Sequence, residues 1–229
     1  MNLKSRLGER LTLLCLMCLM FATTVAAQLA PTNPWENDIR AFELADQKNP
    51  PKSGGVLFVG SSSIRFWESL QADFPDVSII RRGFGGSEIR DVTHFAERII
   101  IPYHPRLIVL YAGDNDLAAG RNPAQVRDDF VSFVERVRRD LPDVAIAYIA
   151  IKPSPARANL LDKMREANAL ISSVSKSATE IQTIDVFTPM LDARGKPRPE
   201  LFGDDGLHMN RAGYALWIGR IRPFLRAQR

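Results

Sequence analysis

Four short stretches of this chain hold residues whose types and spacing suit chemistry: Ser61-Ser62-Ser63, Gly83 to Gly86, Gly113 to Asp116, and Asp205 to His208. A serine hydroxyl is a poor nucleophile until a base takes its proton, and a histidine, with an ordinary pKa of about 6.5, does this near neutral pH. The candidate base is His208. His94 falls within a predicted helix, and His104 precedes Pro105 at the opposite end of its predicted strand. The base needs a carboxylate to fix its tautomer and stabilise its charged form. Asp205 lies three residues before His208 and Asp204 four; both spacings face the ring on a helical turn, so spacing leaves the choice open. Acyl transfer also needs donors aimed at the developing oxyanion. The Asn115 amide, beside Gly113, is one, and Gly86 lets backbone approach a substrate closely. Each residue also has an ordinary reading, the serines and aspartates as helix caps and the Asn and Gly as turn residues. Four such stretches in register at one edge are harder to explain that way.

The elements between them place these stretches together. Val56 to Val59 is an apolar, β-branched and aromatic run, the composition of a strand buried on both faces of a parallel sheet. Gly60 ends it and the serines sit where a helix would begin. Ile64, Phe66, Trp67 and Leu70 give a helix, Val77 to Ile80 a second strand, and Gly83 to Gly86 opens a helix over about Glu88 to Ile100. Leu107 to Tyr111 is a third strand, Pro123 starts a long amphipathic helix through Val137, and Val144 to Ile151 is a fourth strand. Pro153 and Pro155 break the chain before a helix over Asn159 to Ser175. Thr183 to Val186 is a short fifth strand, and a long loop leads to a final helix carrying Tyr214, Leu216, Trp217 and Ile221. Strands alternating with helices call for a three-layer α/β/α domain with a five-stranded parallel sheet in flavodoxin-like order. Open sheets of this kind put their ligands at the carboxyl ends of the strands, where all four stretches fall.

Composition narrows the function classes. Residues 1–27 have a positive start (Lys4, Arg6, Arg10), an apolar run from Leu11 to Ala22 too short to span a bilayer, and small residues at Val25-Ala26-Ala27, the pattern of a cleavable secretory signal peptide. Cys15 and Cys18, the only cysteines, fall in that run. Neither has a small residue before it, so no lipid anchor is expected. Residues 28–54 then read as a lead-in with a helix near Trp35 to Asp46, and 55–229 as the main domain. Without the leader the chain carries 27 basic and 25 acidic residues, too balanced to suggest nucleic acid. Arginines gather in the predicted last helix (Arg211, Arg220, Arg222, Arg226, Arg229) and read as a solvated face. The expected location is secreted or periplasmic, and oligomeric state is left open.

The four stretches resemble the blocks of the SGNH hydrolases of the GDSL esterase group. The nucleophile block Gly-Asp-Ser-Leu matches Gly60-Ser61-Ser62-Ser63, which implies Ser62 as nucleophile. The second block matches Gly83-Phe84-Gly85-Gly86-Ser87, with its oxyanion glycine at Gly86. Gly-x-Asn-Asp matches Gly113-Asp114-Asn115-Asp116, with its oxyanion amide at Asn115, and Asp-x-x-His matches Asp205-Gly206-Leu207-His208, which implies Asp205 as the carboxylate and His208 as the base. Ser61 and Ser63 depart from the family's Asp and Leu. The α/β-hydrolase elbow Gly-x-Ser-x-Gly is not met, because Ile64 follows Ser62 by two.

The resemblance implies a Ser-His-Asp ester hydrolase with no cofactor and no metal. Its oxyanion donors would be the Ser62 N–H, Gly86 and Asn115, acting on a small-molecule or glycan-linked acyl ester. The absence of a lid insertion suggests short acyl groups. A carbohydrate O-deacetylase would share the machinery, and a catalytically inactive glycan- or lipid-binding module would not need all five residues. A metal phosphoesterase would need more ligands than three histidines, two of them off the edge, provide.

Overall fold

The computed structural model describes residues 33–176 and 180–227. The signal peptide read at 1–27, and the lead-in as far as residue 32, lie outside the described residues. Five strands are present among these, β1 (Val56–Gly60), β2 (Ile79–Gly83), β3 (Leu107–Tyr111), β4 (Ala145–Ile149) and β5 (Ile181–Ile184). All neighbours pair in parallel in the order β2-β1-β3-β4-β5, the flavodoxin-like order expected. The α-helices are α1 (Glu36–Lys48), α2 (Ser62–Arg65), α3 (Leu70–Asp73), α4 (Ile89–His94), α5 (Ala96–Ile99), α6 (Asp114–Ala118), α7 (Pro123–Arg138), α8 (Leu161–Lys176) and α9 (Arg211–Ala227).

The register sets the level of the site. Gly60, the last residue of β1, pairs with Gly83 on one side and Tyr111 on the other. The loops after β1, β2 and β3 therefore leave the sheet at the same height. The chain's order reverses between β1 and β3, which is where open α/β sheets form a crevice.

Alternation of side chains divides the core. Val56 and Phe58 join Leu107, Val109 and Tyr111 in one cluster with Trp67, Phe74 and the α9 residues Tyr214, Trp217, Ile221 and Leu225. On the other face Tyr148 of β4 meets Phe130 of α7, ring centroids 5.1 Å apart. The α9 stripe follows helical spacing. Trp217 is fully buried, and truncating such a side chain costs about 3 to 5 kcal/mol. Packing of this stripe, more than helix propensity, holds α9 in place.

Several predicted boundaries move, each for a packing reason. The helix read through Ile64 and Leu70 is two short helices, α2 and α3. The break lets Trp67 bury its ring against Phe58 and Tyr214 while its Nε1 donates to Asp73 at 2.7 Å. Strand two runs Ile79–Gly83 and not Val77 to Ile80. Arg81 and Arg82 disguised its end, yet Arg82 is buried because its guanidinium pairs with Asp46 and its Nε donates to the Tyr103 hydroxyl. The helix over Glu88 to Ile100 is broken at Phe95 into α4 and α5. Strand five lies at Ile181–Ile184, two residues earlier than read, because Gln182 and Thr183 are only half buried at the sheet edge. The segment read as starting at Asn159 is a 3-10 turn over Pro155–Leu160 followed by α8.

Asp73 ties the start of α9 to α3. Its carboxylate accepts from Arg211 at 2.8 and 2.7 Å and from Ser69 at 2.8 Å. Arg211 is the main reason its pKa falls from 3.8 to about 2, against the opposing effect of burial. A depressed carboxylate stabilises the fold above its unfolded pKa and loses that contribution as pH falls through its folded value. Unfolding stability is therefore expected to drop between pH 3.8 and about 2. Denaturant titrations across that range should find the drop reduced in Arg211→Met.

Candidate active site

The nucleophile turn needs its first glycine. Gly60 has φ +136°, and a Cβ there would lie 1.8 Å from the Tyr111 carbonyl oxygen. The same oxygen accepts the Ser61 N–H at 2.9 Å, so the chain passes β3 closely before turning into α2. Ser61 and Ser63 are 1% and 2% exposed while Ser62 is part-exposed. Of the three serines, only Ser62 reaches the surface. The hydroxyl cap of the serines' ordinary reading does not form at Ser61: it makes no side-chain cap, and its Oγ, like that of Ser63, has no hydrogen-bond partner. The Ser61 carbonyl accepts the Ile64 and Arg65 N–H groups instead. Ser62 begins α2, so its own N–H is one of the groups a helix start leaves without an intrahelical acceptor.

Ser62 Oγ is 3.0 Å from His208 Nε2, and His208 Nδ1 is 2.6 Å from Asp205 Oδ2. Asp205 Oδ1 accepts the backbone N–H groups of Leu207 and His208, each at 2.9 Å. The Leu207 N–H first, then the His208 side chain, lower the Asp205 pKa to about 2. An ionised carboxylate can only accept, so Nδ1 carries a hydrogen, and in the neutral ring Nε2 is left to accept from Ser62. The ring contacts Asp205 and not Asp204, which resolves the alternative that spacing left open. The Phe66 and His208 rings lie nearly perpendicular with centroids 4.9 Å apart.

Across from this pair, Asn115 lies in α6 after β3. Its Nδ2 donates to the Ser87 carbonyl at 3.0 Å and its Oδ1 accepts from Arg157 Nη2 at 2.9 Å. An amide has two N–H bonds, so Nδ2 keeps a second hydrogen. Gly86 precedes Ser87 with φ +80° and nothing within 4 Å of where a Cβ would be; conformation, not crowding, favours glycine here. Asp114 is buried between Lys152 at 3.1 Å and Arg157 at 3.0 Å. Burial alone would raise its pKa, but Lys152 and then Arg157 outweigh it and hold the carboxyl low. Asp116 caps the first N–H of α4 through Ile89 at 3.0 Å, and burial pushes its pKa up to about 7.

Residues 55–216 match the model of the GDSL-like lipase/acylhydrolase family. The chain belongs to that family. No curated protein matches it. Among solved structures it is similar to a Streptococcus pneumonia protein at TM-score 0.75 and 17% identity, covering 91% of this chain and 98% of that one. It is also similar to a GDSL-like lipase from Bacteroides thetaiotaomicron at TM-score 0.71 and 20% identity, covering 82% and 97%. A carbohydrate esterase family 3 protein from Talaromyces cellulolyticus superposes at TM-score 0.61 and 18% identity, covering 75% and 96%. At these identities the likeness is one of fold.

As a GDSL-like protein the chain is a hydrolase of the esterase and acylhydrolase kind. All five residues singled out in the sequence lie on loops or helix starts at the carboxyl edge of the sheet, and three of them, Ser62, His208 and Asp205, are in direct contact. His94 and His104 are exposed and away from that edge. Two neighbours escaped the sequence reading. Phe66 was counted into a helix face, yet it is 49% exposed; its position four after Ser62, on the same side of one helical turn, was the available signal. Arg157 lay in what read as a proline-broken connection. Among the described residues, no three His, Cys, Asp or Glu side chains converge as a metal site, and no helix is long and apolar enough to cross a membrane.

Proposed function

We propose that this protein is a secreted or periplasmic serine ester hydrolase of short acyl esters. The observation that carries the reading is the unbroken line from Ser62 Oγ to His208 Nε2 and from His208 Nδ1 to Asp205. Ser62 Oγ attacks the ester carbon and its proton passes to His208 Nε2, while Asp205 stabilises the imidazolium. The carbonyl oxygen, now an oxyanion, takes hydrogen bonds from the Ser62 N–H, the Gly86 N–H and the remaining Asn115 N–H. His208 then gives its proton to the leaving alkoxide as the C–O bond breaks. Water repeats the sequence on the acyl-enzyme: it gives a proton to His208, the carboxylic acid leaves, and Ser62 Oγ takes the proton back.

Carbohydrate O-deacetylation is a second reading. It is favoured by the exposed Phe66 ring beside His208, a face on which a sugar ring can pack, and by the fold shared with a carbohydrate esterase. A panel of acetyl, butyryl and long-chain esters with acetylated glycans, run on purified protein and its Ser62→Ala form, tests both. Serine-dependent release of acetate or butyrate supports the reading, and faster turnover of long-chain esters contradicts it.

The oxyanion assignment makes its own prediction. Asn115→Ala is expected to lower kcat by about a hundredfold to a thousandfold, with KM little changed, because the bond is made to the transition state and not to the ground-state ester. A turn asparagine with no role in the reaction would leave kcat at the wild-type value.

A further inference from the structure

The connection after β4 touches both halves of the site. Lys152 is 1% exposed and holds Asp114. Ala156 N–H donates to the Gly206 carbonyl at 3.0 Å, inside the Asp205-Gly206-Leu207-His208 turn, and a Cβ at Gly206 would meet Pro155 at 3.3 Å. The next residue, Arg157, departs from helical geometry at φ −121° and ψ 27°. Its guanidinium spans Asp114 Oδ2 at 3.0 Å and Asn115 Oδ1 at 2.9 Å. Neighbouring backbone groups of one loop thus bear on the acid–base arm, while the side chain bears on the amide arm.

We infer that Arg157 is a positioning residue that fixes the orientation of the Asn115 amide, an inference that rests on the oxyanion reading of Asn115. The amide has two orientations related by a flip. In the one present, Nδ2 faces the Ser87 carbonyl and Oδ1 faces Arg157. Flipped, oxygen would face oxygen and NH2 would face guanidinium, two mismatches at a part-buried site, each an unmade hydrogen bond. Arg157 therefore selects the orientation that leaves an N–H for the substrate. A cation on Oδ1 also polarises the amide and makes its N–H a stronger donor. The planar fork reaches Asp114 and Asn115 together; a lysine ammonium, a single point of charge, does not have that geometry.

The test is a set of steady-state measurements with melting curves on wild type, Arg157→Met, Arg157→Lys, Asn115→Ala and the Arg157→Met/Asn115→Ala double variant. Arg157→Met is expected to lower kcat by about tenfold to a hundredfold, within what the loss of one oxyanion donor costs, with KM held. In the Asn115→Ala background the same change should cost less than about twofold more, since coupled residues are not additive. Arg157→Lys keeps the positive charge beside Asp114, so it should recover the melting temperature while recovering only a minor part of kcat; should Arg157→Met fail to fold, this variant carries the comparison. An equal cost in both backgrounds, full recovery of kcat by lysine, or a rise in KM at constant kcat would overturn the inference. Wild-type kcat in Arg157→Met beside a large loss in Asn115→Ala would overturn it alone, whereas wild-type kcat in Asn115→Ala would overturn the oxyanion reading beneath it.

Discussion

Ser62→Ala is expected to lower kcat by roughly a millionfold, the scale at which removal of a serine nucleophile leaves only binding and oxyanion stabilisation. The protein should remain folded. Ser62 is part-exposed at the first position of a helical turn, where a change to alanine moves stability by no more than about 0.5 kcal/mol. The neighbours set the contrast. Ser61 and Ser63 are buried with their hydroxyls unpartnered, so replacing either by alanine removes no bond to His208 and should leave kcat within a few-fold of wild type. An active Ser62→Ala beside an inactive Ser61→Ala or Ser63→Ala would mean that the triple serine has been read at the wrong position.

His208→Ala is expected to cost about as much as Ser62→Ala, because nucleophile and base act as one unit, and combining the two should cost little more than either. Loss of the ring removes both the acceptor 3.0 Å from Ser62 Oγ and the partner of Asp205. His94→Ala and His104→Ala supply the control, both residues being exposed, His94 at the end of α4 and His104 ahead of β3. If either abolished turnover in a folded protein, the base would have been misassigned.

The residues at this site were legible because the fold puts chemistry where hydrophobic patterning stops. Val56 to Val59 and Leu107 to Tyr111 read as buried strands from composition alone, and the polar residues after them could only lie at a strand end. The choice of Asp205 over Asp204 was different. Spacing left it open and the resemblance to the Asp-x-x-His block made it; the turn in which Asp205 Oδ1 accepts from Leu207 and His208 is not encoded by spacing. Strand β2 was misplaced because Arg82 is buried by pairing with Asp46, 36 residues away, a contact that no local pattern announces. Arg157 was missed for the same reason: its partner Asn115 is 42 residues distant, and proline spacing marks its loop only as a break. Phe66 was counted into one helix with Trp67 and Leu70 because helical periodicity was carried past Arg65, where α2 ends so that Trp67 can turn inward.

The most direct test is to treat the protein with a serine-reactive alkyl fluorophosphonate and map the adduct by peptide mass spectrometry. A single phosphonylated residue at Ser62 is predicted, with labelling abolished in Ser62→Ala and slowed in His208→Ala. An adduct on Ser61 or Ser63, or labelling that persists in Ser62→Ala, would contradict the assignment of Ser62 as the nucleophile.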